Sequence, residues 1–466
     1  MAFEIPDDLM VSVSGVRGRV GAGLTPEVVA RFASAFGAWL AASASARAPR
    51  AVVARDSRTS GPMFERTVIG ALQSVGCDVI SLGMVPTPTA LAAIRHHEAD
   101  GGIVVTASHN PVEWNALKFA SRKGMFLDGE ESVEMRRYVQ EKPIPHAAWD
   151  RLGSVTRDPD AAGRHIESVL RLPYLDLEGL RKRRLRVVLD TIRGAGSVVL
   201  PRLLEELGCE VIGMNLEPDG HFPRAPEPVA ENLGEVEHRV LEVSADLGMV
   251  TDPDADRLSL VSNTGHAIGE DYTLALAAAV VLKRRPGPVV TNLSTSRVLD
   301  DVCRAVAGVV VERAPVGEIN VARAMERAGA VIGGEGNGGV ILPDLHHTRD
   351  AAVAAALVLQ FLYQEDRALD RIVSDLPGYT ILKDKLARDS GSLELAYGRL
   401  SERFAGALAD RQDGLRLEWP ERRSWLHLRA SGTEPILRII AEAPSEHEAR
   451  ELIDQAREAL SGPVRT

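Results

Sequence analysis

The chain repeats itself three times, and this repeat limits the possible folds more than any other feature. A short apolar run opens each copy: AVVARDSRTSG from Ala51, RVVLDTIRGAG from Arg186 and PVVTNLSTSR from Pro288. β-Branched residues followed by a polar turn mark a buried strand entering a loop. A second run follows in each copy: GCDVISLGMVPTP from Gly76, GCEVIGMNLEPDG from Gly208 and GVVVERAPVGE from Gly308. The third runs are ADGGIVVTASHNP from Ala99, ADLGMVTDPDADR from Ala245 and AGAVIGGEGNGGV from Ala328. Amphipathic stretches over 62–75, 197–207 and 297–306 separate them. Strands alternating with helices predict βαβ units. The expectation is three related mixed α/β domains with mainly parallel sheets, each of roughly 100–150 residues.

The last hundred or so residues break the pattern. Asp375-Leu376-Pro377-Gly378-Tyr379 reads as a turn, 392–408 as a helix, and 425–429 and 436–441 as strands flanking a polar loop. Residues 445–460 read as a closing helix. A smaller C-terminal α+β domain follows, with all four domains arranged around one central cleft. Divisions are expected at 1–152, 153–258, 259–372 and 373–466. The first domain gains an N-terminal helix whose cap is Thr25 before Pro26. Val28, Val29, Phe32, Phe36, Trp39 and Leu40 form its apolar face.

Composition narrows the function classes. A net charge of −11 argues against broad nucleic-acid or anionic-membrane binding. No stretch reaches the ~18 apolar residues of a membrane span; 272–282 and 351–363 read as buried helices. The acidic N-terminus lacks a signal-peptide pattern, so a cytoplasmic location is expected. Cys77, Cys209 and Cys303 are too scattered for a disulfide framework or metal cluster. The basic run 181–186 reads as a solvated linker and strand edge.

Chemistry concentrates in four loops. In parallel α/β sheets, ligands bind beyond the carboxyl ends of strands. The first repeat ends there in Thr106-Ala107-Ser108-His109-Asn110-Pro111. Ser108 reads as an exposed turn serine, with His109 and Lys118 placed to assist proton or phosphoryl transfer. The second loop is Asp252-Pro253-Asp254-Ala255-Asp256-Arg257. Three carboxylates at alternate positions suit a hard cation such as Mg²⁺. An EF-hand is excluded because Arg257 stands where glycine is required and Asn263 where the bidentate glutamate belongs. The third loop runs Gly333-Gly334-Glu335-Gly336-Asn337-Gly338-Gly339, where Glu335 and Asn337 could read paired hydroxyls. The fourth is Arg429-Ala430-Ser431-Gly432-Thr433-Glu434-Pro435, a phosphate cradle of arginine, hydroxyls and turn amides to which Arg438 adds charge. A phosphate carrier, a metal loop, a polyol reader and an anion clamp together call for a sugar phosphate.

With TASHNP, DPDADR and RASGTEP in this order, and Ser14-Gly15-Val16-Arg17-Gly18 near the start, the sequence closely resembles the α-D-phosphohexomutase superfamily. That superfamily includes phosphoglucomutases, phosphomannomutases and phosphoglucosamine mutases. The resemblance spans nearly the whole chain and implies three similar α/β domains with a smaller fourth. It implies that Ser108 is a phosphoserine and, with Asp252, Asp254 and Asp256, holds one Mg²⁺. Glu335 and Asn337 would contact sugar hydroxyls, and Arg429, Ser431, Gly432 and Thr433 would grip the phosphate not being transferred. Arg17, Lys118 and Arg257 match positions near the transferred group, with Lys118 the candidate general acid/base. Phospho-Ser108 would donate to a hexose monophosphate and recover its phosphate from a bisphosphate intermediate. A hexose 1,6-bisphosphate would serve as activator.

Some positions depart from the pattern. The sugar loop of relatives often reads Gly-Glu-x-Ser-Gly-His, whereas Asn337 and Gly339 stand here for serine and histidine. Glu318 follows Val316-Gly317, where some glucose and mannose enzymes carry histidine. The histidine base of those relatives is therefore not carried over. These features lean toward phosphoglucosamine mutase, with phosphoglucomutase/phosphomannomutase the alternative. Glu318 or Glu335 is expected to favour a 2-ammonium sugar by charge pairing. A sugar-phosphate phosphatase and a noncatalytic sugar-phosphate-binding protein are the readings from other classes. The expected partner is a small hexose phosphate, with no nucleic acid and no membrane; a homodimer is allowed but not required.

Overall fold

The computed structural model describes residues 4–13, 15–43, 47–387, 393–430 and 436–461. Every strand expected from the repeat is present. The first runs form Arg50–Arg55, Arg186–Asp190 and Val289–Asn292. The second form Asp78–Met84, Glu210–Met214 and Val311–Ala314, and the third Gly101–Val105, Leu247–Thr251 and Ile332–Glu335. In each sheet the third strand pairs in parallel with the first, and the first with the second. An antiparallel fourth strand then flanks the third: Trp114–Ser121, Leu258–Ser262 or Gly339–Ile341.

The sheets are mixed, and the first carries additions. Its seven strands include Met10–Ser12 and Gly15–Arg19 at one edge and Val155–Arg157 at the other. Arg17 thereby lies opposite Ala116 in antiparallel register, beside the Ser108 loop. Gly15 has φ +115°, and a Cβ there would meet the Leu117 carbonyl oxygen at 2.1 Å, so this approach requires glycine. The sheets also move two divisions. Val155–Arg157 pairs into the first sheet, so that unit runs past 152. Leu258–Ser262 completes the second sheet, which carries it beyond 258.

Helices Asp271–Arg284 and Ala351–Glu365 are buried over most of their surface. Such all-round apolarity requires covering on every side, and both lie in one core with the second domain's Val187, Leu203 and Leu260. The second and third domains thus share a hydrophobic interior. A polar cluster ties in the first: Thr89 Oγ1 lies 2.8 Å from His165 Nδ1, and Asp350 Oδ2 lies 2.8 and 2.9 Å from Nε2 of His165 and His346. Asp350 Oδ1 also caps the second buried helix by accepting from Ala352 N at 2.8 Å.

The C-terminal domain is a five-stranded antiparallel sheet, ordered Thr380–Ala387, Ile436–Ala443, Ser424–Ala430, Leu415–Trp419, Leu408–Asp410. Its first helix spans Leu393–Arg403, shorter than the expected 392–408, because Leu408 begins an edge strand after a turn. Ser392 lies outside the described residues. The closing helix is Glu446–Ser461. Among the described residues no helix is long and apolar enough to cross a membrane, and Cys77, Cys209 and Cys303 are free thiols.

This domain docks on the third through buried polar contacts. Glu442 accepts from Arg297 N at 3.0 Å and from Trp425 Nε1 at 2.9 Å. His427 places Nδ1 2.9 Å from Ser294 Oγ and Nε2 2.7 Å from the Asp413 carbonyl. Burial lowers the His427 pKa to about 4. The folded state therefore binds this proton more weakly than the unfolded chain does. Its stabilisation is whole above pH ~6.5 and is lost as pH falls toward 4, by roughly 3 kcal/mol at most. Thermal melts between pH 7 and 4 should show a stability loss that His427→Gln flattens; an unchanged slope would remove His427 as its source.

Candidate active site

The third strand of each repeat ends in a polar loop, and the three loops touch. Ser108 Oγ–H, from the first domain, donates to Asp252 Oδ2 in the second at 3.0 Å. Lys118 Nζ, also from the first, lies 2.9 Å from Asp254 Oδ2. Arg349, in the third, reaches back to Asp256 Oδ2.

Ser108 is not exposed as its turn suggested: it is 3% accessible, covered by the next domain's acidic loop. Its φ is +48°, a left-handed conformation uncommon for a residue with a side chain and concentrated at functional sites. Arg58, wholly buried, holds the loop there. Its guanidinium donates to the carbonyls of Ser108 and Asn110 at 2.7 Å, Pro111 at 2.7 Å and Trp114 at 2.9 Å. Asp56 in turn accepts from Arg58 Nε at 3.1 Å and from Thr106 Oγ1 at 2.7 Å, and Thr106 Oγ1 accepts from Ser108 N at 3.0 Å. Arg17 bonds the Asn110 side chain. His109 Nδ1 lies 3.4 Å from Ser108 Oγ. Arg257, burial and Arg17 together hold the His109 pKa well below the usual imidazole range, so the ring is neutral at neutral pH.

Asp252, Asp254 and Asp256 are fully buried, with ligand oxygens within 4.8 Å of one another. Asp252 has both oxygens engaged, Oδ2 by Ser108 and Oδ1 by Arg257 N at 3.4 Å, whereas the other two have Oδ2 tied down: that of Asp254 by Lys118 and by Thr87 Oγ1 at 2.8 Å, and that of Asp256 by Arg349. Oδ1 of Asp254 and Oδ1 of Asp256 are buried with no hydrogen-bond partner among the described residues. Burial and the two neighbouring aspartates push Asp252 well above the usual carboxylate range. Burial also pushes against Asp254, but Lys118 and Thr87 hold it below that range. Hard, oriented, unsatisfied oxygens in a dry site fit a divalent cation of the Mg²⁺ type. Arg257 lies beside them, Nε 3.7 Å from Asp256 Oδ1 and 4.0 Å from Asp252 Oδ2.

The glycine-rich loop is more committed than its sequence suggested. Glu335 Oε1 accepts from Asn292 Nδ2 at 2.8 Å and Gly317 N at 3.0 Å; Oε2 accepts from Arg349 Nη1 at 2.6 Å and Asn337 Nδ2 at 3.4 Å. Glu318 Oε1 accepts from Thr348 Oγ1 and from Arg349 N at 3.0 Å, while its Oε2 lies 3.5 Å from Arg349 Nη2. Both acids expected to await an ammonium group already face the same guanidinium. From the fourth loop, Arg429 Nε pairs with Asp413 Oδ2 at 3.1 Å, and Asp413 Oδ2 also accepts from Val316 N at 3.0 Å. Ser431, Gly432 and Thr433 lie outside the described residues, as does Ser14.

Arg58, Asp56, Thr87, Asn292 and Arg349 were not foreseen. Asp56 and Arg58 follow a first-repeat strand end, a usable signal. Arg349 sits in a stretch, His346-His347-Thr348-Arg349-Asp350, that carries no recognisable spacing.

Comparison with known proteins agrees along the whole chain. Residues 9–143, 164–265 and 269–379 match the phosphoglucomutase/phosphomannomutase alpha/beta/alpha domains I, II and III, and 399–459 match its C-terminal domain. A phosphoglucomutase/phosphomannomutase of Thermococcus kodakarensis is 39% identical, covering 96% of this chain and 98% of its own. A protein of Methanopyrus kandleri bearing the name "Probable phosphoglucosamine mutase" is 38% identical, covering 95% of each. The crystal structure of a phosphoglucomutase/phosphomannomutase family protein from Burkholderia thailandensis superposes with a TM-score of 0.82 at 28% identity, covering 97% of this chain and 98% of that one.

Proposed function

The chain belongs to the phosphoglucomutase/phosphomannomutase family, and from that premise we propose that it interconverts hexose 6-phosphate and hexose 1-phosphate through Ser108. Glucosamine 6-phosphate is the leading substrate, and glucose and mannose 6-phosphates are the alternatives. The observation that carries this reading is the Ser108 hydroxyl, buried 3.0 Å from Asp252 at the junction of the loops.

Phospho-Ser108 transfers its phosphoryl group to a sugar hydroxyl: the phosphorus–Oγ bond breaks, a phosphorus–sugar oxygen bond forms, and a hexose bisphosphate results. The proton leaving the sugar hydroxyl ends on Ser108 Oγ, with Lys118 the candidate to relay it. Arg17 and Arg257 stabilise the charge of the moving group, with His109 beside Ser108 placed to assist the transfer. Glu335 and Asn337 orient the sugar. Arg429, with Ser431, Gly432 and Thr433, grips the phosphate that stays. Asp252, Asp254, Asp256 and phospho-Ser108 would hold Mg²⁺, which when bound supplies positive charge against the transferring oxygens. After the bisphosphate turns over, its other phosphoryl group returns to Ser108. A hexose 1,6-bisphosphate primes a serine that has lost its phosphate.

Incubating the protein with Mg²⁺, a bisphosphate primer and each 6-phosphate in turn, and following ³¹P resonances, tests this reading. Growth of a 1-phosphate signal without free phosphate is expected. Steady release of inorganic phosphate would instead make the protein a phosphatase, and binding without conversion would make it noncatalytic.

A further inference from the structure

Arg349 bridges the acidic loop and the glycine-rich loop through its side chain. It is 6% accessible. Nη1 donates to Glu335 Oε2 at 2.6 Å, Nη2 donates to Asp256 Oδ2, and Nη2 lies 3.5 Å from Glu318 Oε2. Its backbone N–H donates to Glu318 Oε1 at 3.0 Å. Asn292, Gly317 and Thr348 occupy the remaining oxygens of these two glutamates. A buried carboxylate already bonded to a guanidinium gains less from a second cation than a free one does, and withdrawing it would cost Arg349 one of its three carboxylate partners.

We propose that Arg349 is a positioning residue that sets sugar discrimination: by holding Glu318 and Glu335 as its own counter-ions, it leaves neither to select a 2-ammonium sugar. Charge pairing at these two glutamates therefore gives an amino sugar no large advantage over a neutral one, and the lead of glucosamine 6-phosphate among the candidate substrates rests on the names of relatives alone. This deepens the hexose-phosphate reading above and rests on it. Grip on Asp256 Oδ2 gives Arg349 a second role, leaving Oδ1 as the oxygen of that carboxylate that would meet a cation.

The test compares glucosamine 6-phosphate with glucose 6-phosphate, by kcat/KM and by calorimetric dissociation constants, between pH 6.5 and 9, where an amine of pKa about 8 titrates. In the wild type, the two substrates should differ by less than about tenfold at every pH, well below the 10²–10³ that a free buried counter-ion gives. Arg349→Gln should free the glutamates, shift the ratio at least ~10-fold toward glucosamine 6-phosphate (roughly 1.4 kcal/mol), and make it fall as the amine loses its proton. Arg349→Lys should restore the wild-type ratio. Equal losses for both sugars in Arg349→Gln, with the ratio unchanged, would reduce Arg349 to a structural role and overturn the proposal. Should that variant not fold, the wild type decides alone: a preference for the amino sugar above a hundredfold that collapses at high pH would also overturn it. Absence of turnover would sink the mutase reading, whereas the ratio of dissociation constants would still report on Arg349.

Discussion

Ser108→Ala is expected to carry no phosphoryl group and to lose at least ~10⁴-fold in kcat, the usual scale for removing a covalent nucleophile. Intact-mass measurement of the wild type should show one phosphoryl group that the variant lacks. KM for the sugar phosphate should move only a few-fold, because the arginines and the sugar loop remain. A fold defect would not account for the loss. The loop is held through main-chain carbonyls by Arg58, at 2.7 Å from that of Ser108, and these bonds survive the substitution. What disappears is one hydroxyl and its bond to Asp252, a cost of about 1 kcal/mol. The left-handed φ of +48° is no harder for alanine than for serine. Ser108→Gly, which relaxes that conformation, should match alanine in activity and equal or exceed it in stability. A Ser108→Ala protein that stays active, or keeps the phosphoryl mass, would end the assigned mechanism.

The parts legible in the sequence were those written in local pattern. The repeat located the first three strands of each α/β domain, since apolar β-branched runs and polar turns are one-dimensional signals. Asp252, Asp254 and Asp256 were legible because their alternate spacing is itself unusual. Less legible were features made by juxtaposition. Nothing in Arg349's neighbourhood says that its guanidinium spans residues 256 and 335, because that meeting needs two domains folded together. The burial of Ser108 is invisible in its own turn because the carboxylate that covers it lies 144 residues away. The short C-terminal strands Leu408–Asp410 and Leu415–Trp419 escaped for a different reason. Their pairing in an antiparallel sheet, rather than their few residues' propensity, makes them strands.

Asp252→Asn should separate stability from activity and so identify what the acidic loop is for. Without a cation, three buried carboxylates repel one another, and burial with Asp256 and Asp254 already drives Asp252 toward its protonated form. A neutral isostere there relieves repulsion while its Oδ1 can still accept from Ser108. In chelator-treated protein the variant should therefore melt higher than the wild type, by the equivalent of roughly 1–2 kcal/mol. Mg²⁺ should reverse the order. At about 100 times its dissociation constant, a ligand specific to the folded state stabilises by ~2.7 kcal/mol, a gain open to the wild type and largely closed to the variant. Activity should follow binding, with a loss of about 10³-fold or more in the chelated wild type, restored by Mg²⁺, and a similar loss in Asp252→Asn that Mg²⁺ does not restore. Calorimetric titration with Mg²⁺ gives a readout independent of turnover. The unpartnered Oδ1 atoms of Asp254 and Asp256 set the direction of all three results. Buried acceptors without donors cost free energy in the apo protein and recover it only on a cation. A wild type indifferent to chelation in both melting and turnover would leave the triad structural, and the phosphoryl transfer would then rest on the arginines alone.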